Sequence, residues 1–171
     1  MNIYRMTLYI GLICSLISCS THSDKKSMQD IIIPTVTLQE LKKKKDGLLY
    51  KNNMNIPYTG VVISTYPSGR IKSKGNIRNG KMVDDYTEYF EGGQVKIKGE
   101  YRNGVQEGTW ITNHSTGAVA LKGQFINGLL QGTWYIYSQN GMLAKKMVYH
   151  NGVVTKVLRY RVYKEDRKEK Q

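Results

Sequence analysis

Apolar and polar residues alternate at short spacing between residues 57 and 152, and this pattern predicts β-strands. Written in blocks of 24, the segment gives four blocks without a gap: 57–80, 81–104, 105–128 and 129–152. Such self-similarity at a fixed period indicates a repeat array. Four columns are identical in every block, namely Gly69/Gly93/Gly117/Gly141, Lys74/Lys98/Lys122/Lys146, Asn79/Asn103/Asn127/Asn151 and Gly80/Gly104/Gly128/Gly152.

Each block carries two turn signals, an Asn-Gly pair at its end and an x-Gly pair near its middle, which is itself Asn-Gly at Asn140-Gly141. Asn-Gly suits the type I′ turn of a two-residue hairpin, because both central residues need a positive φ. The blocks therefore predict about eight short strands. A degraded unit near Leu49 and a closing strand over 154–162 flank them. The predicted fold class is all-β: a single antiparallel meander sheet of repeated 24-residue hairpins, flat or curled.

If both turns are two-residue loops, the register follows, and it assigns each residue to a face. Trp110 then lies opposite Gly123, and His114 opposite Val119. The equivalent pairs are Thr112 with Leu121, Tyr86 with Gly99, Val62 with Gly75, and Trp134 with Met147. An aromatic ring over a cross-strand glycine stabilises a sheet. The resulting aromatic face offers six candidate binding residues: Tyr66, Tyr86, Phe90, Trp110, Trp134 and Tyr149. One sheet cannot cover its own face unless it coils or meets a partner, so we expect partial curling and a remaining partner surface.

The opposite face is basic, and its four invariant lysines form a predicted stripe with a spacing of about 10 Å, since they recur on every second strand. The stripe could bind phosphates or carboxylates, or it could keep the face solvated and discourage edge pairing. The formal net charge of +13 favours anionic lipid, cell-surface polymer or acidic protein over nucleic acid as partner. An ordinary solvated surface is the alternative explanation of this charge. The stripe residues are Lys74, Lys98, Lys122 and Lys146.

The N-terminus is typical of an export signal. Arg5 precedes an apolar run over 7–18, which is too short to span a bilayer, so residues 1–18 are predicted to be a signal peptide. The run ends in Leu16-Ile17-Ser18-Cys19, which resembles the bacterial lipobox and predicts lipidation at Cys19. Several acyl chains would anchor the protein firmly in the cell envelope. Ser20 after the cysteine favours the outer membrane if the host is Gram-negative.

Residues 19–47 are predicted to form a lipid-anchored tether with a short helix, which Thr35 or Thr37 would cap with Glu40 in its first turn. The lysines over 42–45 would be a solvated helix end, although anionic head groups would also attract them. The repeat domain extends over 48–162, and 163–171 form a charged tail. Cys14 leaves with the signal, so the folded body is expected to have no disulfide.

The blocks resemble MORN-type repeats, and most closely the bacterial variant labelled YwqK-family antitoxins. The resemblance rests on the Gly, Trp/Tyr, Lys-Gly and Asn-Gly positions from Gly108-Thr109-Trp110 to Asn127-Gly128. The first block departs from it at Val62, the second at Asp84 and the fourth at Met147. The family implies binding of proteins or membrane surfaces through a repetitive sheet, and its label implies neutralisation of a partner protein.

Catalytic chemistry is not expected. The three histidines have no metal-like spacing, the acidic residues are scattered, and the glycines follow the turn period and not a nucleotide-binding loop. We therefore predict no enzyme activity, no cofactor and no metal. Outside the cytoplasm an antitoxin-like role becomes immunity against an effector that acts in the envelope. The alternative is a structural envelope lipoprotein that binds anionic lipid or polymer through its basic face.

Overall fold

The computed structural model describes residues 33–160, and this part of the chain is all-β apart from one 3₁₀ turn. Cys19, the predicted signal peptide and the charged tail lie outside the described residues. The strands are β1 (Thr35–Thr37), β2 (Leu41–Lys43), β3 (Leu49–Lys51), β4 (Gly60–Thr65), β5 (Ile71–Arg78), β6 (Lys81–Tyr89), β7 (Val95–Arg102), β8 (Val105–Asn113), β9 (Val119–Ile126), β10 (Leu129–Tyr137), β11 (Leu143–His150) and β12 (Val153–Arg159).

Ten strands form one open sheet in the order β1-β4-β5-β6-β7-β8-β9-β10-β11-β12. From β4 onward it is the predicted antiparallel meander. The prediction of a purely antiparallel sheet is wrong at one end, where β1 pairs in parallel with β4 and Val36 lies opposite Val62. A parallel pair needs a long connection, and here the separate β2–β3 hairpin lies between the two strands.

The predicted short helix over 35–45 is not formed. Of the two predicted caps, Thr37 precedes a turn and its N–H donates to Glu40 Oε1 at 3.0 Å, but the turn contains only Leu38–Glu40 and is a 3₁₀ helix. Val36, which is 3% exposed, is held in the sheet, and Lys42 pairs with Tyr50 in the β2–β3 hairpin. Long-range strand pairing on both sides leaves no room for a longer helix.

The Asn-Gly turns are confirmed as type I′. Asn79 and Gly80 have φ of 49° and 76°, and the other three blocks are alike. The mid-block turns are different, since only the glycine has a positive φ, at Asn140-Gly141 as elsewhere. Tyr66 N–H donates to Arg70 O, which makes these turns three-residue loops with a bulge.

The bulges change the register near the mid-block turns and leave it intact elsewhere. The prediction that His114 lies opposite Val119 is wrong, because the register shifts after Thr112 and Asn113 takes that place. The central pairs are confirmed, namely Trp110 with Gly123, Thr112 with Leu121, Tyr86 with Gly99, Val62 with Gly75, and Trp134 with Met147. The error arose because the prediction made the mid-block glycine the second residue of a two-residue loop, whereas it is the third residue of a three-residue loop.

One apolar cluster closes the first end of the sheet. Val36, Tyr58, Val62 and Ile77 are buried there, and Leu41, Leu49 and Met82 pack against them. Tyr58 OH lies 2.7 Å from Pro34 O and 3.0 Å from Val61 O, so its single proton is shared between the residue before β1 and a residue of β4. The β2–β3 hairpin thus covers the first hairpin of the array, and the later hairpins pack mainly on their own neighbours.

Candidate binding surfaces

The aromatic side chains of successive strands form one continuous row on one side of the sheet. Tyr101 and Trp110 meet edge to face with ring centroids 5.3 Å apart, and Phe125 and Trp134 do so at 5.1 Å. Edge-to-face pairs of this kind add to the stability that burial gives. Trp110 and Trp134 therefore point to the same side, as the register requires. The row consists of Tyr86, Tyr101, Trp110, Phe125, Trp134 and Tyr149.

Each indole ring lies over a glycine of the preceding strand. A Cβ atom on Gly99 would overlap the ring of Trp110, and one on Gly123 would overlap the ring of Trp134. Trp110 is in register with Gly123, so the sequence predicted that its ring lies over Gly123. In the structure the ring lies instead over Gly99 of the preceding strand. Because these glycines have no side chain, the rings lie directly on the backbone of the sheet. A single sheet thus buries its own rings, and Trp110 and Trp134 are only 7% and 5% exposed.

The departure from the motif at Met147 follows from the same packing. Met147 occupies the column of Gly75, Gly99 and Gly123, but it pairs with Val157 of β12, which brings no ring. Because no aromatic ring of a following strand lies over position 147, a glycine is not required at that position.

The half-buried members of the predicted aromatic surface link repeats to one another. Tyr66 OH donates to Tyr89 O at 2.8 Å, and His114 Nε2 lies 3.0 Å from Tyr137 O at the equivalent position. Burial raises the pKa of Tyr86 and of Tyr101 above the ordinary value for tyrosine. Tyr66, Tyr86, Phe90 and Tyr149 are partly accessible, and their role in binding a partner stays a prediction.

The four invariant lysines lie in one cross-strand row on the other side of the sheet. The register pairs Lys74 with Thr87, Thr87 with Lys98, and Lys98 with Ile111, and the same row continues through Lys122, Tyr135 and Lys146. Lys74, Lys98 and Lys122 are exposed, and Lys146 lies 5.4 Å from the ring centre of Tyr135. Within residues 33–160 none of the four forms an ion pair.

Acidic side chains border this row. Asp85, Glu100 and Glu107 are in register with one another on three adjacent strands. Lys96 does not add to the row of lysines, because it forms an ion pair with Glu88 at 2.7 Å. Glu88 is in register with Ile97 of the aromatic side. The predicted basic face is therefore largely limited to the row of four invariant lysines, because acidic residues border the row and Glu88 neutralises Lys96.

The two outer edges of the sheet differ in exposure. β1 is a three-residue strand whose Val36 is buried, whereas all seven residues of β12 are exposed. Val153 and Val157 are 66% and 43% exposed. An edge strand with free backbone groups and apolar side chains is a template for another strand. The sequence indicated a closing strand here, but no pattern in it predicted the exposure that all seven residues of β12 have within the described part of the chain.

A side-chain latch at the Asn-Gly turns was also missed. Asn127 N–H donates to Glu107 Oε2 at 2.9 Å, and Asn151 N–H donates to Gln131 Oε1 at 2.8 Å. Thr59 accepts the same bond from Asn79, while Val83 occupies the column in the second block. A polar acceptor twenty residues before three of the four turn asparagines was the available signal.

The described residues contain no cluster of side chains suited to a metal ion, and none of their helical segments is long and apolar enough to cross a membrane. The surfaces are shallow and repetitive: each repeat supplies one hairpin with one invariant lysine on one side of the sheet, and the last three hairpins carry aromatic rings on the other side. This architecture defines a β-repeat protein with a single-layer open sheet.

Comparison with known families agrees with the architecture. Residues 85–103 and 130–151 match the MORN repeat variant. In the structure these stretches correspond to most of the β6–β7 and β10–β11 hairpins, each ending at an Asn-Gly turn. The chain thus contains MORN-variant repeats, and the β4–β5 and β8–β9 hairpins follow the same 24-residue period. A comparison with curated proteins found no match to this chain.

Proposed function

We propose that the chain is an envelope-anchored binding lipoprotein whose sheet receives an extended segment of a partner protein at its last strand, β12. The exposure of all seven β12 residues is the observation that carries this proposal. A partner strand added to a sheet edge gains backbone hydrogen bonds, and alternate side-chain contacts supply specificity.

The hydrogen-bond pattern defines which backbone groups face the partner. Tyr160 N–H donates to Ala144 O at 2.8 Å. Inward and outward groups alternate along an antiparallel strand, so Leu158 and Lys156 bond to β11 while Val157 and Arg159 present their N–H and C=O outward. The next strand would bond to those two residues.

Charge favours an acidic partner over a second copy of the chain. Lys156 and Arg159 stand on the edge itself, and Lys146 is in register with Leu158. Cationic side chains on an edge oppose pairing between identical strands. An extended segment with acidic side chains would complement them.

The antitoxin resemblance and the export signal together suggest the sharpest form of this function. An anchored protein outside the cytoplasm would act as an immunity protein that neutralises an effector acting in the envelope. The lipobox ending in Cys19 and the MORN-variant repeats support this form of the proposal.

A proline scan of β12 tests the edge. The probe is the product of the neighbouring gene, titrated against the full chain by calorimetry. Val157→Pro removes one outward N–H and leaves the β11 ladder intact, so we expect affinity to fall at least about tenfold. Val157→Thr keeps the N–H and should remain within about twofold. Equal affinities of both variants would refute edge pairing, and full resistance of a deletion strain to killing by sister cells would refute the immunity role.

One observation favours a second function, in which the basic row binds anionic lipid or cell-surface polymer. Four ammonium groups lie in register, and no ion pair within the described part of the chain neutralises them. Binding through this row should weaken with salt. Binding of lipopolysaccharide that is unchanged by Lys98→Gln/Lys122→Gln would exclude it.

A further inference from the structure

The surface around the β2–β3 hairpin combines lysines with strongly exposed apolar side chains. Within residues 33–160, five large apolar side chains are more than half exposed. Four of them lie within residues 33–56, outside the repeats: Ile33 (58%), Leu38 (54%), Met54 (53%) and Ile56 (77%). Exposed apolar residues that cluster in this way mark a surface that meets something other than water.

Hydrogen bonds hold this region together. Asn52 N–H donates to Glu40 O at 2.8 Å, which ties the loop after β3 to the 3₁₀ turn. Lys44 Nζ donates to Met54 O at 3.2 Å and lies 4.0 Å from the ring centre of Tyr50. Met54 is therefore presented by a braced loop. Lys42, Lys44 and Met54 line one shallow depression of about 500 Å³ beside the hairpin.

The charge of the hairpin is one-sided. Lys42, Lys43, Lys44 and Lys45 are consecutive and all exposed, whereas Asp46 is occupied by the hydroxyl of Tyr50 at 2.6 Å. Glu40 pairs with Lys51 at 3.6 Å. Lys44 is engaged by Met54 O and the Tyr50 ring, so Lys42, Lys43 and Lys45 are left to face an external anion.

The point where the chain enters the described structure lies in the same region. Ile33 is the first described residue, and thirteen residues separate it from Cys19. Such a segment reaches at most about 50 Å when extended. Apolar side chains beside a lysine cluster, in a part of the chain that begins fourteen positions after a predicted lipidation site, match an anionic bilayer surface.

We propose that the β2–β3 hairpin and the loop 52–56 form a membrane-docking surface, in which Met54 and Ile56 enter the head-group region of an anionic bilayer and Lys42, Lys43 and Lys45 contact its phosphates. The docked hairpin sets the first end of the sheet against the membrane and leaves β12 free for a protein partner. This role goes beyond partner binding and uses none of the residues of the repeats.

The test measures the depth of residue 56 in the full chain, which all variants share together with its N-terminal segment. Ile56→Trp adds an emitter to the two buried native tryptophans, and the unsubstituted chain supplies their background. Vesicles of phosphatidylcholine, with or without phosphatidylglycerol, carry brominated acyl chains that quench a nearby indole. We expect quenching of the added emission in the phosphatidylglycerol vesicles and its loss at high salt.

Matched variants separate the hairpin from other surface lysines. Lys42→Gln/Lys45→Gln should lower the ratio of docked to undocked protein about 30-fold. Lys72→Gln/Lys81→Gln removes the same charge from two exposed lysines that lie outside both the hairpin and the basic row, and it should leave quenching unchanged. Gln139→Trp, in the exposed turn before β11, should not be quenched. Equal quenching without phosphatidylglycerol, or no effect of the Lys42 and Lys45 changes, would overturn the proposal. Either result leaves the β12 titration unaffected, and near-ultraviolet circular dichroism checks that each variant is folded.

Discussion

The packing of indole rings on glycine predicts a large penalty for the smallest possible substitution, Gly123→Ala. The added methyl would overlap three atoms of the Trp134 ring. The ring cannot move freely, because it is 5% exposed and its centroid lies 5.1 Å from that of Phe125 and 6.1 Å from that of Tyr149. Overpacking of a well-filled site costs about 1–3 kcal/mol, and this case lies at the upper end.

Two other glycines supply a graded comparison. At Gly75 the nearest atom to an added Cβ is the terminal methyl of Met82, which can move aside, so Gly75→Ala should cost about 1 kcal/mol. At Gly92 the neighbour is the flexible end of Gln94 and φ is not positive, so Gly92→Ala should stay within about 0.5 kcal/mol of the unsubstituted chain.

Urea unfolding followed by tryptophan fluorescence measures the series. A loss of about 3 kcal/mol for Gly123→Ala corresponds to a midpoint lower by roughly 1–2 M. In a Trp134→Leu background the same substitution should cost much less, because the clash is removed. Equal stabilities of Gly123→Ala and Gly92→Ala would refute the stacking of rings on glycine.

Three further changes probe other contacts of the sheet. Glu107→Ala removes the acceptor of the Asn127 N–H and should cost about 1 kcal/mol in urea unfolding, whereas Glu107→Gln should restore most of it. Tyr58→Phe removes the donor to Pro34 O and Val61 O, so we expect a loss of about 1 kcal/mol and faster hydrogen exchange at the Val61 amide. Burial raises the pKa of Tyr101, so the fold favours its neutral ring. The free energy of unfolding should therefore be constant below about pH 10 and fall as the pH rises above it. Tyr101→Phe should reduce this fall, which is measured as urea midpoints from about pH 8 to 11.

The sequence predicted the repeated part of the fold well, because its signals are local. Asn-Gly dictates a turn type, and the turn type dictates the pairing of Trp110 with Gly123 and the row of lysines. The parallel pairing of β1 with β4 could not be read from the sequence, since it depends on Val36 meeting Val62 across more than twenty residues. The mid-block bulges were not predicted for a different reason. An x-Gly pair fits both a two-residue and a three-residue loop, and only the φ angle of the residue before the glycine distinguishes them.

The departures from the repeat pattern show where the array ends and where its function is expected. Val62 replaces the aromatic residue in the first block, and it packs in the cluster that β1 and the β2–β3 hairpin complete. Met147 replaces the glycine in the last block, where no further ring follows. Between these two positions the rings pack on one another, and no large apolar side chain is more than half exposed. Outside them the chain exposes Ile56 at one end and Val153 at the other. A repeat array that buries its own rings can bind through its ends, so a membrane at the first end and a protein strand at the last would not compete for the same surface.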